Sequence, residues 1–67
     1  MSDFKQRLVV EQKELFDRTK KLGEFIESND GFLKLSNANK LLLVQQNEYM
    51  RKYLGVLTIR LELLDAQ

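Results

Sequence analysis

At 67 residues the chain is one small domain, a size that buries a low fraction of its surface and normally needs a staple, a metal or association. Cysteine and histidine are both absent, which excludes disulfides and zinc sites of the usual kind. A formal charge of +1 excludes reading the whole chain as a polybasic tail for nucleic acid or membrane.

No apolar run reaches the ~18–20 residues of a membrane span. Met1 to Arg7 lacks the basic-then-apolar order of a signal peptide, so a cytoplasmic location is expected. The chain has no proline, 31% charged residues and abundant Leu, Lys, Glu and Gln, the composition of long helices.

The first helix is expected over residues 3–28, with Ser2 as its cap and Asp3 favourably placed in the first turn. Its apolar line is Leu8, Leu15 and Leu22, flanked by Val9, Phe16, Phe4, Phe25 and Ile26. Gln12 and Thr19 sit beside that seam. Glu14 with Arg18, Asp17 with Lys21 and Lys20 with Glu24 are opposite charges four apart on the solvated side, each worth a few tenths of a kcal/mol.

Asn29-Asp30-Gly31 is the strongest punctuation, since Asn29 and Gly31 both tolerate the left-handed conformation that ends helices. The connection takes residues 29–36, with Phe32, Leu33 and Leu35 expected to tuck beneath it and Ser36 to cap the second helix.

That second helix, residues 37–65, carries more apolar surface than one neighbour can bury. One heptad line is Leu43, Met50, Leu57 and Leu64, with Asn47, Leu54 and Leu61 beside it. A second is Leu42, Tyr49, Val56 and Leu63, with Gln46, Tyr53 and Arg60. The fold class is therefore all-α: an antiparallel two-helix hairpin, one domain over residues 1–67, that assembles into a helical-bundle homo-oligomer. Leu43, Met50, Leu54, Leu57, Leu61 and Leu64 are the expected contacts between copies.

Tyr49, Tyr53 and Arg60 form the first constellation with chemistry in it. An unpaired charge on an apolar face is costly. Arg60 thus either pairs with an acid such as Asp3 or Glu11, or contacts an anion beside two flat aromatic surfaces. Guanidinium suits phosphate by its forked donors, and aromatic faces suit nucleobases. From Gly31 to Arg60 the basic residues Lys34, Lys40, Arg51, Lys52 and Arg60 stand against Glu48 as the one acid after Asp30. Lys40 and Lys52 are accordingly secondary phosphate candidates. Gly23 and Gly55 each cost a helix about 1 kcal/mol relative to alanine. Close approach of the helices accounts for Gly23, and contact with another chain would account for Gly55. Gln12, Thr19, Gln46 and Asn47 read as polar groups that set register. Nothing resembles a catalytic or metal centre: there is no phosphate loop, no acidic calcium loop and no histidine or cysteine. No enzyme activity, cofactor or metal is expected.

The pattern Leu42-Leu43-x-x-Gln46-x-x-x-Met50-x-x-Tyr53-x-x-x-Leu57-x-x-Arg60-Leu61, after Leu35-Ser36 and the helix end Lys21-Leu22-Gly23-Glu24-Phe25-Ile26, resembles a family of very short bacteriophage helical-hairpin proteins. In layout it is also similar to the phage sponges that oppose the CBASS and Thoeris defences by holding cyclic nucleotide signals between subunits. The aromatic N-terminal arm of those sponges is not present in this sequence. The resemblance implies a phage accessory protein that sequesters a small anionic signal such as a cyclic nucleotide. The alternative is an interaction module that inhibits a host or defence protein. Long nucleic acid and membrane are not expected partners.

Overall fold

Leucines spaced seven apart in both halves of the chain give each half one apolar stripe, and the two stripes zip together. In the computed structural model, which describes residues 2–66, helix α1 spans Ser2–Ser28, a single turn α2 spans Asp30–Leu33, and helix α3 spans Asn37–Asp65. The side chain of Ser2 lies outside the described residues, and with it the cap expected there. The two long helices run side by side as a hairpin, a rod of 47 × 14 × 14 Å, one helix pair thick.

Leu8, Leu15 and Leu57 are the buried core, with Met50, Leu54, Leu61 and Leu64 packed against it. This changes the role of residues expected between copies. Leu57 is 0% exposed inside a single chain, so it has no surface to offer another. Met50, Leu54, Leu61 and Leu64 are half-buried against α1 for the same reason, and Leu43 is half-buried on the same line. Leu57→Ala would cost about 2–5 kcal/mol, the usual range for a core leucine.

Polar groups pin the register along one side of this seam. The Asn47 amide donates to the Thr19 carbonyl, and the Thr19 hydroxyl donates to the Leu15 carbonyl at 2.6 Å. One end of the hairpin is held by Gln12, which donates to the Thr58 hydroxyl at 2.9 Å, and by the Lys5–Asp65 ion pair. Of the expected surface pairs, Glu14–Arg18 and Asp17–Lys21 form at 3.5 and 3.9 Å. Lys20–Glu24 does not, among the described residues.

The turn differs from the sequence expectation in its chemistry. No described residue has positive φ, so neither Asn29 nor Gly31 ends α1 in the left-handed conformation. Asn29 is instead extended (φ −100°, ψ 127°) and caps α2, its side-chain oxygen accepting from the Gly31 N–H at 2.6 Å. A Cβ on Gly31 would meet that oxygen at 2.8 Å, so a larger residue there would have to push the capping side chain aside. Phe32 packs edge-on against Phe25, ring centroids 6.0 Å apart, and Leu35 is half-buried. Leu33 turns outward instead of tucking under, 67% exposed. Ser36 caps α3 as expected, accepting from the Asn39 N–H at 3.2 Å.

Candidate functional site

One residue along an α-helix is a rotation of about 100°. The second heptad line of α3 is offset from the first by one residue, so it cannot share the face that meets α1. Leu42, Tyr49, Tyr53, Val56 and Leu63 are accordingly exposed, from 46% at Tyr53 to 64% at Tyr49. They form a continuous face with Gln46 and Arg60 set among them, both exposed. Along its N-terminal half an open groove of about 540 Å³ is lined by Leu42, Gln45, Gln46, Tyr49, Met50 and Tyr53.

Tyr53 bridges the two helices, its hydroxyl donating to the Glu11 carboxylate of α1. That hydrogen bond raises the phenol above its ordinary value of 10.0. Desolvation and the Glu11 charge act in the same direction, and the Arg60 and Arg18 guanidiniums oppose them. The Lys52 ammonium stands 5.8 Å from the centre of the Tyr49 ring, within range of a cation–π contact. Arg60 makes no ion pair among the described residues. Its two expected acids are engaged otherwise or stand apart, since Glu11 accepts from Tyr53.

Of the residues expected to bind ligand, the fold therefore brings Tyr49, Tyr53 and Lys52 together, with Arg60 two turns beyond Tyr53 on the same face. Lys40 is the exception. Nine residues at about 100° each set it half a turn around the helix from Tyr49, on the opposite side. Within one chain it cannot join the tyrosines.

Glu11 is the member whose position in the site has a readable signal in the sequence. Phe4, Glu11, Arg18 and Phe25 recur every seven residues along the edge of the α1 seam, which is the edge that meets Tyr53. Gln46, expected to set register, lines the groove instead, and its amide approaches only the Met50 sulfur, at 4.0 Å.

Among known families, the sequence model of Sequestin matches residues 2–63. The chain belongs to the Sequestin family. No curated protein and no solved structure matches it. In this Sequestin-family hairpin the match takes in α1, the turn, α3 up to Leu63 and with it every residue of the tyrosine face. No helix among the described residues is long and apolar enough to cross a membrane.

Proposed function

We propose that this chain is a phage accessory counter-defence protein, a non-catalytic helical-hairpin oligomer that sequesters a small anionic signal such as a cyclic nucleotide between its subunits in the host cytoplasm. The observation that carries this reading is the exposed face of α3. It combines two tyrosine rings, a cation over one of them, and an arginine with no acid partner among the described residues. Flat rings with adjacent cations are what a nucleobase joined to phosphate needs. The name of the family speaks of sequestration, which agrees with a binding role. A chain without histidine or cysteine has few groups for general acid–base or nucleophilic work at neutral pH, and this supports binding without turnover.

A second reading is an inhibitor that docks on a host or defence protein. It is favoured by Leu41 and Ile59, which are 60% and 58% exposed on a part of α3 away from the tyrosines. Isothermal calorimetry against a panel of cyclic di- and trinucleotides separates the two. Saturable binding of one of them, with the ligand released intact on denaturation, is the expected result. Binding to none, together with co-purification of a host protein, would replace the first reading with the second.

A further inference from the structure

A partner for the second seam of α3 is implied by how much surface the hairpin leaves uncovered. A compact monomer of 7.9 kDa exposes about 4400 Å² by the usual scaling, whereas this chain exposes 5370 Å². The surplus of about 1000 Å² is close to the roughly 800 Å² that each partner covers in a standard interface. The uncovered seam has a strict heptad spacing, Leu42, Gln46, Tyr49, Tyr53, Val56, Arg60 and Leu63, with alternating steps of four and three. Another helix is what fits such a seam.

The order of residues along it points to another copy of itself, reversed. Read from either end, the seam runs leucine, a long polar side chain, an apolar or aromatic residue, and then Tyr53. A parallel pair would set Arg60 against Arg60 and Gln46 against Gln46, with like charges facing. An antiparallel pair does neither.

Two antiparallel registers let the side chains of one seam interleave with those of the other in full layers. In one, Arg60 meets Leu42 of the other copy; in the second it meets Tyr49. Guanidinium stacks on aromatic rings and gains nothing from leucine, which selects the second. We propose that a second copy of this chain covers the α3 seam in antiparallel fashion, with Arg60 of each subunit laid beside Tyr49 of the other. The remaining layers then pair Tyr53 with Val56 and Gln46 with Leu63, and the two-fold axis passes between the levels of Leu54 and Gly55.

This pairing has a chemical consequence. Within a chain, Tyr49 and Arg60 are eleven residues apart, or roughly 16 Å along the helix. Across the two-fold they are neighbours, and Lys52 already lies over the Tyr49 ring. Two cations around one ring make a pocket for an anion, and the symmetry makes two such pockets per dimer.

The arrangement rests on the reading that the chain self-associates, and the test separates the two. The chain has no cysteine, so Glu48→Cys and Glu62→Cys, both exposed and off both seams, can each carry a single spin label. Sedimentation should give a dimer or a multiple of two, without any ligand. Electron-spin distance measurements should then show comparable label separations at the two sites, with axial components of roughly 20 Å at Glu48 and 22 Å at Glu62. The other antiparallel register would give roughly 9 and 33 Å, and a parallel pair essentially none at either. Val56→Glu, which changes a side chain exposed in the hairpin, should abolish assembly. A monomer by sedimentation would overturn self-association and the pairing together. An assembled protein with the wrong distances, or one that tolerates Val56→Glu, would overturn the pairing alone.

Discussion

The side-chain amide of Asn47 donates to the backbone carbonyl of Thr19 at 3.0 Å, with both residues buried, and so fixes where α3 lies along α1. A polar contact inside an apolar seam favours one register over neighbouring ones that slide by a turn. Replacing Asn47 with alanine removes the hydrogen bond and leaves a small void. The expected loss is about 1–3 kcal/mol. For a domain of this size that is a fall in melting temperature of about 4–8 °C per kcal/mol. Thermal unfolding followed by circular dichroism, at fixed protein concentration, measures it. An unchanged melting temperature would mean the contact sets no register.

The Tyr53–Glu11 hydrogen bond makes a prediction at alkaline pH. The folded-state phenol is raised above 10.0, so the stability it contributes is fully present below that pH. It is lost as pH rises through the raised folded-state value. Phenolate absorbance during a base titration should show one tyrosine ionising above the ordinary value. Glu11→Gln removes the anion and should bring that ionisation down towards 10.0. If Glu11→Gln leaves the titration where it was, the bridge does not hold the Tyr53 proton.

Arg60 tests the binding site and the assembly at once. Arg60→Met should leave the helical hairpin itself folded, since no ion pair within the chain is lost among the described residues. Affinity for the cyclic nucleotide should fall by about 1.5–3 kcal/mol, or tenfold to a hundredfold. Higher salt should weaken the unmutated complex as well. Mixing Arg60→Met with Tyr49→Leu and allowing subunits to exchange adds a sharper readout. If each pocket takes its tyrosine from one subunit and its arginine from the other, the mixed dimer regains one intact pocket, and calorimetry shows a tight class of sites absent from either variant alone. A mixture no better than its components would place both residues of a pocket in the same chain.

Gly55 has nothing within 4 Å of where a Cβ would stand. It also lies away from both seams of α3. Gly55→Ala should therefore stabilise the helix by about 1 kcal/mol and leave sedimentation unaltered. A weaker assembly would show instead that another chain covers this glycine. Gly23 is different in degree, because a Cβ there would touch the Asn47 side chain at 3.8 Å, an ordinary contact.

The two helices, the turn and the Ser36 cap are legible in the sequence because each rests on local rules: heptad leucines, a break at Asn29-Asp30-Gly31, a serine before a helix. What periodicity cannot decide is which of the two lines on α3 faces inward. Leu43–Leu64 and Leu42–Leu63 differ by a single step of rotation, and both are apolar. The polar companions break the tie in the structure. Asn47 finds the Thr19 carbonyl across the inner seam, whereas on the other line Arg60 stays exposed and Tyr53 reaches Glu11 only at the edge of α1. Lys40 stands apart from the tyrosines of its own chain for a related reason. Its place in a basic stretch says nothing of its azimuth, and nine residues reverse it. Glu11, an expected partner for Arg60, takes Tyr53 instead, because only the assembled hairpin sets the relative height of the two helices.

The one-residue offset between the two seams constrains how such chains can differ in length. An extra residue anywhere between Leu42 and Leu64 would turn everything beyond it by about 100°. The inner line would swing away from α1 and the outer line would leave its own face, both in a single event. Related chains can accept substitutions along α3, but insertions and deletions should be confined to the connection around α2, where the path is set by one asparagine cap and a single helical turn.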